Sequence, residues 1–165
     1  MLDKIKIEVH SLSRISTVNF TDSDSVISIS SPGNLPFVDF PESTLFLRFS
    51  DIERPYKLLS IGERFVLLGA FLWRPIKVVC EMYWRRREEV KQALVPFRVS
   101  QVVCIERFIS ALPIECRKLY IHCDFGRSRS AAVGAFLSEK YGLEVEYKED
   151  GISANSWVLR LLRES

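Results

Sequence analysis

The sequence predicts an α/β domain, and three observations lead there. Of the 165 residues, 47% are hydrophobic and 27% charged, the balance of one globular domain long enough to bury a core. The chain opens on the order strand, short helix, strand. In its last third an apolar strand runs through a small-residue loop into a compact helix. Composition alone allows α/β or α+β; the alternation of elements favours α/β.

Ile5, Ile7 and Val9 alternate with Lys4, Lys6 and Glu8, the period-two pattern of a half-buried strand. Leu12, Ile15 and Val18 then recur at helical spacing behind Ser11, a plausible N-cap. Val26–Ser30 (VISIS) and Leu45–Phe49 (LFLRF) read as two further strands, parted by the turn-rich SPGNLP of residues 31–36. Residues 62–96 differ in kind. They hold the apolar run FVLLGAFLW and the cluster WRRREE, with Pro75 and Pro96 as breakers, and read as two helices. From Ser100 a clearer helix places Val102, Ile105, Phe108, Ile109 and Leu112 on one face before Pro113. Lys118–His122 is a strand, Ala131–Tyr141 a helix closed by Gly142, and Ile152–Arg163 a last helix.

Several function classes fall away at this level. With 23 basic and 21 acidic residues the net charge is +2, so no nucleic-acid partner is expected and any positive site is local. Four cysteines and two histidines show no CxxC or Cys/His ligand spacing, so no metal or other cofactor is expected. Residues 1–10, MLDKIKIEVH, alternate charged and apolar side chains, so no secretory leader is expected, and the longest apolar run, Phe65–Trp73, is far short of the ~20 residues that span a bilayer. A reducing cytoplasm with free thiols is the expected setting.

The stretch that carries chemistry is His122–Ser130, HCDFGRSRS, set between a strand and a helix. Cys123 and Arg129 lie six positions apart, leaving five loop residues between them. A loop of that length can curl its N–H groups inward as an anion nest at a helix N-terminus, with Gly126 giving the backbone freedom to do so. Arg129 enters as the helix begins, where its planar fork suits phosphate oxygens. At the bottom of this positive cup the thiolate form of Cys123 is favoured, which makes it a nucleophile.

The stretch resembles the HC-x5-R-S/T phosphate-binding loop of cysteine-dependent protein tyrosine phosphatases, closest to the dual-specificity branch and its small bacterial and phage relatives. ISANSWVLRLL at 152–162 is similar to the closing ISPN-type helix of dual-specificity phosphatases, with Ala154 in place of Pro. VISIS and LFLRFSDIE resemble the strands and acid-bearing loop of the small relatives. The likeness touches roughly two thirds of the chain by motif. It implies one domain over 1–165, with a central, mostly parallel sheet of four or five strands flanked by helices and a helical insertion at about 62–96.

It also implies roles. Cys123 is the nucleophile of a cysteinyl-phosphate mechanism, and Arg129 holds phosphate oxygens with the loop residues Asp124, Phe125, Gly126, Arg127 and Ser128. Ser130 steadies the sulfur as a leaving group. His122 holds the loop and Asn155 braces it. The general acid is expected on a loop, and Asp51 is the candidate because no other Asp lies between it and Cys123; Glu53 is the nearest substitute. The implied activity is hydrolysis of phosphate monoesters, phosphotyrosine first and phosphoserine or phosphothreonine with a shallow pocket. The alternatives are a phosphoinositide or RNA 5′-phosphate phosphatase, or a phosphate-binding pseudophosphatase. A rhodanese-like sulfurtransferase is disfavoured by Arg129 and Ser130.

Two loop residues depart from the dual-specificity pattern. Phe125 stands where Ala is common and is expected to narrow the pocket or pack beneath the loop. Arg127 adds a second cation to the rim and invites more anionic substrates. Away from the loop, Cys104 reads as core filler and Cys116 as a thiol without a resolving role. Arg85–Arg87 reads as a solvated helix face, with docking of an acidic partner or anionic lipid as its functional alternative.

Overall fold

A computed structural model describes residues 5–32, 36–52 and 95–165. The helical segment expected at 62–96 lies outside the described residues except for its last two, as do Glu53, Cys80 and the Arg85–Arg87 run.

The described elements are β1 (Lys6–Ser11), α1 (Leu12–Ile15), β2 (Asp24–Ser30), β3 (Thr44–Arg48), α2 (Val99–Ser110), β4 (Lys118–Cys123), α3 (Arg129–Tyr141), β5 (Val145–Tyr147) and α4 (Ser156–Arg163). The five strands form one sheet in the order β3-β2-β4-β1-β5, and every pairing is parallel. The α/β class and the parallel sheet are as expected; β5 was not read from the sequence.

Handedness accounts for the layering. The step from β1 to β2 goes toward the β3 edge, whereas β3 to β4 and β4 to β5 go toward the β5 edge. Right-handed crossovers then put α1 on one face of the sheet and α2 and α3 on the other. The strands' period-two pattern sorts the core in the same way. Ile7, Val9, Ile27, Ile29, Leu119 and Ile121 join Val102 and Ile105 of α2 and Val133 and Phe136 of α3 in the main core. Val26 and Tyr120 face the other way and pack with Ile15 of α1, flanked by Leu12, Val18, Phe20 and Phe40.

Helix ends follow local chemistry. Ser11 caps α1 through its Oγ, 3.4 Å from the Arg14 N–H, but the helix lasts only four residues. Val18 still reaches the small core, though not from a helix. Gly142 closes α3 at φ 69°, the left-handed position a glycine C-cap serves. The last helix begins at Ser156 rather than near Ile152, because Ser153 and Asn155 give their backbone N–H groups to the loop carbonyls of Arg127 and Ser128. On α2 the buried positions are Val102, Ile105 and Ile109. Cys104 is exposed, so its reading as core filler is corrected: it lies on the opposite side of the helix from that stripe. Among the described residues no helix is long and apolar enough to cross a membrane.

Candidate active site

β4 is central, hydrogen-bonded to β2 and β1, and ends at Cys123. The chain reverses its direction of travel across the sheet at this place, where ligands of open α/β sheets bind beyond the carboxyl ends of strands. Residues 124–128 form the loop and α3 starts at Arg129, so the helix N-terminus points its partial positive charge at the loop.

The Cys123 side chain is 1% exposed, and its Sγ accepts two hydrogen bonds. One comes from the Gly126 backbone N–H at 3.2 Å and the other from Ser130 Oγ at 3.1 Å. Gly126 has φ +71°, and a Cβ there would sit 2.5 Å from the Ser11 nitrogen and 2.6 Å from the His10 carbonyl carbon. The turn that brings its N–H to the sulfur therefore requires glycine.

Arg129 is 2% exposed and held by three acceptors. Nη1 donates to the Phe49 carbonyl at 2.8 Å and to Ser31 Oγ at 3.1 Å; Nη2 donates to Asp124 Oδ2 at 2.6 Å. Ser31 also donates to Asp124 Oδ2 at 2.8 Å, which closes a ring of three side chains. Nε of Arg129 is buried without a hydrogen-bond partner, 3.9 Å from Asp51 Oδ2. A buried guanidinium N–H without a partner, beside a loop at a helix N-terminus, is a donor that an oxyanion could meet.

Asp51, three residues beyond β3, reaches the same loop. Its Oδ1 accepts from Ser128 Oγ and from Asn155 Nδ2, both at 2.7 Å. Asn155 is fully buried, and its Oδ1 accepts the Val158 N–H at 3.0 Å, so it caps α4 and braces Asp51 at once. Of the residues singled out from sequence, Cys123, Gly126, Ser128, Arg129, Ser130, Asp51 and Asn155 thus converge. Asp124 lies in the loop with its carboxylate engaged by Arg129 and Ser31. Phe125 is 73% exposed, so it stands on the rim and does not pack beneath the loop. Arg127 is also on the rim and exposed.

His122 points away from the sulfur, since neighbours on a strand face opposite sides of the sheet. Its Nε2 lies 2.8 Å from Ser28 Oγ and its ring stacks on Phe40 at 5.3 Å. Burial is the main cause that pushes its pKa down from 6.5 to about 4, so it stays neutral near pH 7. The unfolded chain takes up a proton near pH 6.5 that the folded chain refuses until about pH 4. Stability is therefore expected to fall as pH drops through that window, by about 3 kcal/mol from this group. Burial lowers His10 as well and adds in the same direction. Urea midpoints at pH 7 and 4.5 test this; His122→Asn should shrink the drop, and an equal drop in that variant would contradict the assignment.

Cys116 is buried with its Sγ 3.5 Å from Ser25 Oγ, at the other end of β4. The run from Lys118 to Cys123 alone spans about 17 Å at ~3.3 Å per strand residue, far beyond disulfide reach. Sequence reading missed Ser31, Phe49 and Ser28. Ser31 belonged to a stretch legible only as a turn, and Phe49 contributes a backbone carbonyl, which no side-chain motif reveals. Comparison with protein-family models, with curated proteins and with solved structures gives no match.

Proposed function

We infer that the protein hydrolyses phosphate monoesters through a cysteinyl-phosphate intermediate, acting on phosphotyrosine and, more weakly, on phosphoserine and phosphothreonine. The observation that carries this is a buried cysteine sulfur receiving one hydrogen bond from its own loop and one from the first turn of α3, beside a buried arginine with an open N–H. The Cys123 thiolate attacks phosphorus, forming an S–P bond as the ester P–O bond breaks. Asp51 gives the departing oxygen a proton from Oδ2, the oxygen that takes no hydrogen bond among the described residues. Water then attacks phosphorus and passes its proton to Asp51. The S–P bond breaks, inorganic phosphate leaves, and sulfur departs as a thiolate met by Ser130 and Gly126. Arg129 and the α3 N-terminus hold the equatorial oxygens throughout. A cytoplasmic setting suits a nucleophilic thiol that must stay reduced.

A phosphoinositide or RNA 5′-phosphate is the alternative substrate that Arg127 alone invites and that the carboxylates of Asp124 and Glu149 beside it oppose. The test of the main reading is turnover of a chromogenic aryl phosphate in chelator, with acid quench to trap the phosphorylated cysteine. Turnover with a phosphate adduct on the Cys123 peptide supports it; turnover without any adduct contradicts it. Arg129→Lys is expected to lower kcat by ~10² or more, because one ammonium cannot serve Phe49, Ser31, Asp124 and the substrate together. Normal kcat in that variant would remove Arg129 from the mechanism.

A further inference from the structure

A groove of about 720 Å³ runs from the rim of the anion loop along α1 and residues 36–38. The volume is that of a ligand site. The loop contributes Phe125 and Arg127 to it, and the opposite wall carries Leu12, Phe37 and Val38. Phe37 is fully exposed, so two aromatic side chains from separate segments present apolar surface to water at one place.

The charges in the groove are nearly all committed. Glu149 Oε1 accepts from Ser11 Oγ at 2.6 Å and from the Ser11 N–H at 3.4 Å, and lies 3.1 Å from Arg14 Nε. Asp124 is held by Arg129 and Ser31. Arg127 is exposed and acts on Glu149 only through space, and its side chain makes no hydrogen bond or ion pair among the described residues. One cation is therefore open to a ligand, in a groove that already holds two carboxylates. A polyphosphorylated head group or a nucleic-acid backbone brings several charges and meets repulsion from Glu149 and Asp124. A single carboxylate next to an apolar side chain meets Arg127 and the two phenyl rings.

We propose that this groove reads the sequence around the phosphorylated residue and selects peptides that carry an apolar residue and an acidic residue beside it. The proposal rests on the phosphatase reading above and deepens it, making Arg127, Phe125 and Phe37 specificity-determining residues.

The test compares three phosphotyrosine peptides of equal length, flanked by Leu and Asp, by Leu and Lys, or by Gly and Ser, with an aryl phosphate as reference. The Leu/Asp peptide should exceed the Leu/Lys peptide in kcat/KM by roughly tenfold, mostly through KM, since an exposed ion pair gives only about fivefold and the lysine adds repulsion. Arg127→Glu should reverse the order of those two peptides. Phe37→Ala, a change at an exposed site, should narrow the lead of the Leu/Asp peptide over the Gly/Ser peptide several-fold and leave aryl phosphate turnover alone.

Equal kcat/KM for all three peptides, with the aryl phosphate turned over, would overturn the groove's role and leave the hydrolysis standing. A soluble inositol polyphosphate or a 5′-phosphorylated RNA turned over faster than every peptide would overturn it too. If no ester is hydrolysed, the phosphatase reading fails. The same ranking is then read as peptide affinity by fluorescence anisotropy, where equal affinities overturn the proposal and a Leu/Asp preference lost in Arg127→Glu supports it.

Discussion

Cys123→Ser is expected to give a folded protein that still binds phosphate and turns over no ester, a loss on the order of 10⁶ in kcat. The substitution keeps shape in a site that is 1% exposed, and the Gly126 N–H and Ser130 hydroxyl can donate to oxygen as they do to sulfur. On the proposed mechanism what disappears is the sulfur nucleophile, because a serine hydroxyl is a poor one where, among the described residues, no base lies beside it. His122 cannot act as that base: it faces the opposite side of the sheet, against Ser28 and Phe40. Aryl phosphate turnover and phosphate affinity, measured on the same preparation, decide the point. Residual activity within about tenfold of the parent would place the nucleophile elsewhere.

Asp51→Asn is expected to lower kcat by ~10²–10⁴ on an alkyl or unactivated phenyl phosphate, and far less on an ester with a good leaving group. An amide oxygen in the place of Oδ1 keeps the hydrogen bonds from both Ser128 and Asn155, so residue 51 stays against the loop while its acidic proton is lost. A plot of log kcat against leaving-group pKa should be steeper for the variant than for the parent. Parallel plots would mean that Asp51 only braces the loop. The contacts leave room for that outcome to be seen, since the same carboxylate joins the loop to α4.

The parts legible in the sequence were those governed by near-neighbour chemistry. Ile7 and Val9, or Leu119 and Ile121, announce strands because their partners lie two residues away. Cys123, Gly126, Arg129 and Ser130 announce a loop because its geometry is made within eight residues. β5 escaped because Val145–Tyr147 is too short for a period to emerge, and its strand character comes from pairing with β1. Cys104 was misassigned because its apolar neighbours Val103 and Phe108 hid the phase of α2, in which Val102, Ile105 and Ile109 face inward. The start of α4 was misplaced because residues 153 and 155 bond to the loop, a pairing no local pattern encodes. Ser31 and the Phe49 carbonyl, which hold Arg129, are separated from it by 98 and 80 residues.

The same separations bear on how the protein comes into being. The loop from Cys123 to Ser130 is complete once Ser130 has been synthesised, but the Arg127 carbonyl finds its partner in Ser153, and Asn155 adds a second donor to both the Ser128 carbonyl and the Asp51 carboxylate. Asn155 is in turn fixed by the first turn of α4. More than twenty further residues must therefore follow Ser130 before the loop around Cys123 is locked, and contacts of such long range are the slow ones to form. On the proposed function, a released chain truncated before Ser153 should contain the entire loop and turn over no aryl phosphate, so that competence waits for α4.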